Sequence, residues 1–354
     1  MIEHLYQLAV HAYYAGELDA GRRACETLLA MQLTPEKERL VRRNRSWYTQ
    51  TLDELVGCRF HRFDVEPAQE GWSTFNPTII SHDEGYLAIV RSSNYTIVDG
   101  RYVIPPADGE TIRTVNMLVR LDKSLAVQGE VAGMPDPLYP KSNYPVVGLE
   151  DCRLNSIDGE MRVSATVRNW AGRDGTCRIA TATLLPHMAS IIDAAMLDEP
   201  CPGRHEKNWM PIVGADSWLY SCWEDGRTAF VSRNGSEWKI DRRGQSPAIA
   251  RGWRGGSQVI DAGDGRWLCL VHEVADDEGR RIYEHRFVLF GDSCDIIGWS
   301  PAFAFREKRT IEFAAGLARR GDQLVATFGV RDAEAWMAEM SVSQVLALIG
   351  GNDG

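Results

Sequence analysis

The sequence predicts an all-β chain, a five-bladed β-propeller carrying a short α-helical module at its N-terminus. Three observations predict it. One hairpin plan recurs five times along the chain, turn residues that tolerate positive φ divide its strands, and helical spacing of apolar residues is concentrated in the first 57 residues. The 354 residues exceed the roughly 250 to 300 at which a single core stops growing, so a large domain with a small accessory module is expected.

From Ile2 to Leu55 the apolar residues fall at helical spacing. They are Leu5, Leu8, Ala9, Ala12 and Tyr13, then Ala20, Ala24, Leu28 and Leu29, then Leu40, Val41, Trp47, Tyr48 and Leu52. Three helices are predicted, broken near Gly16 and at Thr34-Pro35. The stretch HAYYAGELDAGRRACETLLAMQLTP resembles one tetratricopeptide-type hairpin, with Gly16 at the turn and Ala20 and Ala24 at the crossing. A solenoid needs about three such repeats to bury its faces. The module is therefore read as a cap on the next domain, with a surface for a protein partner as the alternative. Residues 1–57 form this module and residues 58–354 the propeller.

Beyond residue 57 short β-rich runs alternate with Gly, Asp and Asn. The five repeats read FNPTIISHDEGYLAIVR from Phe75, GLEDCRLNSIDGEMRVSATVR from Gly148, KNWMPIVGADSWLYSCWE from Lys207, GGSQVIDAGDGRWLCLVHEV from Gly255 and FAAGLARRGDQLVATFGVRD from Phe313. Each is a polar or glycine-rich start, an apolar strand, a tight turn such as Asp158-Gly159 or Asp264-Gly265, and a second strand ending in a polar group. Their spacing lies at and somewhat above the blade period of about 40 to 50 residues. A β-sandwich is the other architecture, but it gives no reason for polar residues to recur at one point of every repeat.

Charge and composition exclude several functions. Charged residues at 25% and hydrophobic ones at 44% are ordinary for a folded chain. A net charge of -10 argues against broad binding of nucleic acid or of anionic membranes, which need a positive field. Eight scattered cysteines show no zinc-type pairing, and dispersed histidines suggest no metal site. No stretch approaches the roughly 20 apolar residues of a membrane span, and the N-terminus lacks the pattern of a secretory signal. A cytoplasmic location is expected.

The ends of the repeats supply the candidate site, because a charge near the propeller axis must be paired or functional. They offer Asn76, Arg91, Glu150, Asp151, Arg153, Arg168, Lys207, Asn208, Gln258, His272, Glu312, Arg331 and Asp332. Strand alternation puts Asp151 and Arg153 on one face and Glu150 on the other, so one of the two adjacent carboxylates is expected to face the pocket. A structural Asp–Arg pair is the plainer reading. Against it, Arg168, Lys207 and His272 close neighbouring hairpins and would gather as three potential cations about Asp151, which suits an anionic substrate group. Trp170, Trp209, Trp223 and Trp253 are read first as core and second as platforms for sugar rings.

The set GLEDCRL, EKNWMP, GGSQVI with WLCLVHEV, and EFAAGLARRGDQLVATFGVRDAEAWMAEMSVSQVLALI resembles the β-mannoside phosphorylases and hydrolases of glycoside hydrolase family 130. It is also similar to the related β-1,2-mannosyltransferases and phosphorylases of glycosyltransferase family 108. The resemblance spans most of residues 70 to 349 and implies a five-bladed propeller. It implies Asp151, in the Glu-Asp-x-Arg motif, as catalytic acid. Lys207 and His272 would bind phosphate, Arg168 would join them by position, and Asp332 would meet sugar hydroxyls. Asn76, Arg91, Glu150, Arg153, Asn208 and Gln258 are the remaining substrate-binding candidates. The chain departs from the family at Cys152, where Pro is usual, at RGGSQVI and at VHEV.

The implied chemistry is inverting transfer through an oxocarbenium-like state. Phosphate as nucleophile is already anionic and needs no base. A hydrolase would need a second carboxylate about 6.5 to 9.5 Å from the acid, and Glu273 and Glu312 are available. No cofactor is expected, and inorganic phosphate or a sugar nucleotide would be the co-substrate. The other expectations are a GDP-mannose-type glycosyltransferase of surface-glycan synthesis and a non-catalytic glycan-binding propeller.

Overall fold

The computed structural model describes residues 2–98, 100–137, 139–170, 175–234 and 237–350. Helix α1 spans Ile2–Ala15, α2 Leu18–Leu29 and α3 Pro35–Arg45, so the breaks fall at the predicted places. Thr34 caps α3 by accepting from the Lys37 N–H at 3.4 Å, and Pro35 supplies the preset φ of a first helical turn. The third helix is shorter than its apolar spacing suggested. After Arg45 the chain turns, adds Gln50–Thr51 to a sheet, and forms a separate short helix α4, Leu52–Val56, closed by left-handed Gly57.

The rest is mostly strand, in a propeller-like arrangement. A first, five-stranded sheet contains Ser73–His82, Gly85–Ser93, Ile112–Leu121 and Val127–Met134; a second, of four, runs from Glu150–Ile157 to Ser190–Met196; a third, of four, from Met210–Pro211 to Glu237–Gln245. The fourth has seven strands dominated by the long hairpin Arg266–Asp277 and Arg280–Phe290. In the fifth, Glu312–Arg320, Gln323–Val330 and Glu334–Ser341 are joined by Arg59–Arg62, which pairs antiparallel with Glu334–Ser341. The closing helix α5, Val342–Gly350, packs beneath the fourth and fifth sheets.

Apolar cores lie between neighbouring sheets. Leu87, Ile89 and Leu118 meet Leu154 and Val163 between first and second; Ile179 meets Trp209 and Trp218 between second and third. Leu219 and Phe230 meet Cys269 and Val271, Leu270 and Phe287 meet Leu317 and Phe328, and Val325 and Met337 meet Ile79 and Val90, which returns the contact to the first sheet. Among the described residues no helix is long and apolar enough to cross a membrane.

The helices share a core with the third and fourth sheets: Leu28, Leu29 and Val41 pack with Ile249, Trp253, Val288 and Phe290. Charge crosses the same boundary. Glu273 is 1% exposed and receives Arg45 at 2.9 Å, Arg286 at 2.7 Å and Arg42 of α3. Arg45 also reaches Glu284 at 2.6 Å, and Arg286 reaches Glu26 of α2 at 3.1 Å. Strand alternation explains the placement, since Glu273 and Glu284 are register partners on one face of the hairpin while His272 and His285 share the other. Arginines hold the Glu273 carboxyl well below its usual range against the opposing effect of burial.

Candidate active site

The side chains of the site are aimed by backbone irregularities at the starts of repeats. Asn76, Asp151 and Asn208 hold φ of 46°, 49° and 60°, and Asp332 at a hairpin turn holds 50°. Strand pairing slips beside the first two, between Phe75 and Thr78 and between Glu150 and Arg153. These are β-bulges, which re-aim side chains and recur beside functional sites. Asn and Asp adopt the left-handed region more readily than other side chains, at a cost of order 1 kcal/mol. The bulge breaks the alternation expected here, and both Glu150 and Asp151 line the cavity. Strict period-two reasoning failed because Asp151 is an extra, left-handed residue in its strand. Two motif glycines make room for this backbone: a Cβ on Gly329 would collide with Asn76, and one on Gly255 with the Asn208 carbonyl.

The cavity holds about 160 Å³ and lies where the sheets converge. Asp151 presents one-fifth of its side chain to it. Its Oδ1 accepts from Asn76 Nδ2 at 3.0 Å and from Arg91 at 3.0 Å, while no described residue bonds Oδ2. Arg91 is itself buried, lies over the Phe75 and Tyr95 rings at 5.1 and 5.8 Å, and comes within 3.9 Å of Glu150. Burial opposes ionisation of Asp151, but Arg91, the Asn76 hydrogen bond and Arg153 outweigh it, and the carboxyl is held below its usual range. Burial pushes the Glu150 and Asp332 carboxyls up. Asp332 accepts from the Tyr95 hydroxyl at 2.8 Å.

Arg168, Lys207, Asn208 and His272 line the same cavity. His272 does not supply the expected charge. It is 2% exposed, stacked 5.2 Å from Tyr283, and burial, His285, Arg254 and Arg153 drive its pKa well below the usual value. It is therefore a neutral hydrogen-bonding group at neutral pH, and an imidazole NMR titration should show it taking up its proton only below the ordinary imidazole range. His285 behind it, packed 4.8 Å from Phe305, is lowered to about 3 by burial. Between that value and about 6.5 the unfolded chain binds the extra proton, so stability falls as pH falls. From this histidine alone, unfolding at pH 5 should be easier than at pH 7 by about 2 kcal/mol. His285→Phe should flatten that dependence in denaturant titrations, and an unchanged slope would reject the assignment.

Two candidates are placed behind the cavity. Arg153 is buried and donates to the Gly256 carbonyl at 2.7 Å, the Asp151 carbonyl at 2.9 Å and Asn208 Oδ1 at 3.4 Å, fixing the bulge from below. Gln258 ties sheets together, donating to the Ile79 carbonyl at 2.5 Å and accepting from the Leu317 N–H at 3.2 Å. Neither proposed hydrolytic base is in the cavity. Glu273 sits in the arginine cluster under the helices, and Glu312 accepts from the backbone N–H groups of Phe305, Arg306 and Glu307 at 2.6, 3.0 and 2.9 Å. The four tryptophans named above also lie outside it, and Trp170 stacks on Tyr139 at 4.4 Å.

Sequence reasoning missed Tyr95, Tyr102, Arg254, Arg281 and Tyr283, which line the cavity. Arg254 had a signal, since it precedes the Gly255 repeat start. Arg281 and Tyr283 arrive on the second strand of an exceptionally long hairpin, while Tyr95 precedes and Tyr102 lies within the small hairpin of Thr96–Val98 and Arg101–Val103, which no repeat predicts.

No protein-family model and no curated protein matches the sequence. By structure the chain is similar to β-1,2-mannobiose phosphorylase from Listeria innocua in complex with β-1,2-mannobiose, with a TM-score of 0.51 and 15% identity over 86% of this chain and 99% of that one. It is also similar to a protein described with the GH130 family of mannoside phosphorylases, which contains glycoside hydrolases that target β-1,2-mannosidic linkages in Candida mannan. There the TM-score is 0.55 and the identity 14%, over 82% of this chain and 96% of that one. At such identities the likeness establishes the propeller-like fold.

Proposed function

We propose that the chain is an inverting, phosphorylase-like enzyme acting on β-mannoside-type glycans, with Asp151 as general acid. In this reading the five larger sheets are the five blades of one propeller behind a tetratricopeptide-like module of residues 1–57. The observation that carries it is the pairing, in one cavity, of a carboxylate with one unbonded oxygen and the cations Arg168 and Lys207. A sugar hydroxyl or the glycosidic oxygen meets Asp151 Oδ2, phosphate meets the cations, and Asn208 and neutral His272 complete its hydrogen bonds. Asp332, Glu150 and Asn76 are left for sugar hydroxyls. Glu273 and Glu312 are engaged elsewhere and neither serves as the base of a hydrolase, while the cations Arg168 and Lys207 favour an anionic nucleophile over activated water.

An acid must carry its proton in the reacting complex, whereas the protein's own groups favour the ionised form of Asp151. Phosphate resolves the conflict. Its negative charge beside Arg168 and Lys207 offsets the cationic field, and the bound sugar displaces water, and both changes raise the Asp151 pKa. The test is a product assay on β-mannosides, mannose 1-phosphate and GDP-mannose, with and without inorganic phosphate. Phosphate-dependent formation of mannose 1-phosphate is expected. Phosphate-independent mannose release would identify a hydrolase, GDP release a transferase, and binding without turnover a glycan-binding propeller.

A further inference from the structure

The cavity carries more positive charge than one phosphate requires. Five cationic side chains line it, Arg91, Arg168, Lys207, Arg254 and Arg281, against the carboxylates Glu150, Asp151 and Asp332. This excess sits in a chain whose net charge is -10. Arg91 is consumed by Asp151 and Glu150. The other four have no ion-pair partner among the described residues, and they divide by position. Arg168 and Lys207 come from the second sheet and the approach to the third, and both act on Glu150. Arg254 and Arg281 come from the fourth sheet, are exposed, and both act on Tyr283.

The second pair has the composition of an anion site. Two guanidinium forks match phosphate oxygens bidentately, and Tyr102 and Tyr283, whose phenols burial keeps protonated, add two neutral donors. Asp276 is the register partner of Arg281, yet its Oδ1 accepts from the Gly279 N–H at 3.1 Å and lies beyond ion-pair reach of the arginine. A phosphate held by Arg168 and Lys207 therefore leaves Arg254 and Arg281 unmatched at the exposed side of the cavity.

We propose that Arg254 and Arg281, with Tyr102 and Tyr283, form a second anion subsite, so that the sugar substrate or its leaving group itself bears a phosphate ester. The proposal rests on the reading of this cavity as a mannoside site that also takes phosphate. Calorimetric binding in saturating inorganic phosphate tests it without requiring turnover, comparing mannose, mannose 6-phosphate and GDP. At least one phosphate ester should bind on the order of tenfold to a hundredfold tighter than mannose, and added salt should shrink that advantage. The double variant R254Q/R281Q should remove the advantage, whereas R168Q should leave the ratio of ester to mannose affinity standing. Tighter binding of mannose 6-phosphate would identify a phosphorylated sugar as the source of the ester, and tighter binding of GDP a nucleotide. Equal affinity for mannose and both esters, or loss of both by the same factor in R254Q/R281Q, would overturn the subsite. Failure of the phosphorylase reading would appear separately, as absence of phosphate-dependent turnover in the unsubstituted protein.

Discussion

Asp151→Asn should lower turnover of a β-mannoside with phosphate by about 10² to 10⁴, the range a positioned general acid contributes, while sugar binding persists. The asparagine keeps the shape, can still accept from Asn76 and Arg91 through its amide oxygen, and tolerates the left-handed backbone at φ 49°. What it loses is the transferable proton. The pH profile supplies an independent check. With the carboxyl held below its usual range in the free enzyme and raised in the complex, the alkaline limb of kcat should lie at higher pH than that of kcat/KM. A variant retaining more than a tenth of wild-type turnover would remove Asp151 from the acid role.

Glu273→Ala should destabilise the protein by about 3 to 5 kcal/mol, because it leaves Arg42, Arg45 and Arg286 buried beside one another without their shared carboxylate. Arg45→Ala should cost a comparable amount by leaving the buried Glu284 without its arginine and taking one of the three arginines from Glu273. Urea unfolding would read both, and a loss under 1 kcal/mol for either would show that the cluster adapts or admits water. The two should not add. Both act on one network, so the double variant should fall well short of the sum. A chain lacking residues 1–57 would expose the same charges together with Val288 and Phe290, and is expected to be recovered insoluble.

Helix positions were readable because Gly16 and Thr34-Pro35 act locally, through turn conformation and capping. The ends of the repeats were readable for a similar reason, since Gly255 at the start of the fourth and Gly329 near the end of the fifth are demanded by backbone that passes within van der Waals distance. The joint presence of Glu150 and Asp151 in the cavity was not, because a bulge is a register event between two strands and leaves no mark on alternation within one. Glu273 could not be told from a catalytic carboxylate by sequence. Its partners Arg42 and Arg45 lie 231 and 228 residues away. The charge state of His272 was likewise hidden, as it depends on how completely Tyr283 and Phe313 cover the ring.

The pairing of Arg59–Arg62 with Glu334–Ser341 joins residues as far as 280 positions apart and bears on how the molecule is made. A ribosome adding about 5 to 20 residues per second needs roughly 15 to 55 seconds to deliver the second partner after the first. Throughout that interval the strand has no mate and the fifth sheet has not emerged. The first sheet's apolar flank, with Ile79, Tyr86 and Val90, stays uncovered for almost as long. Nascent chains should therefore accumulate with an open edge and an exposed apolar face, both of which invite association. Chaperone supply during synthesis should govern the yield of soluble protein more than the stability of the finished fold does.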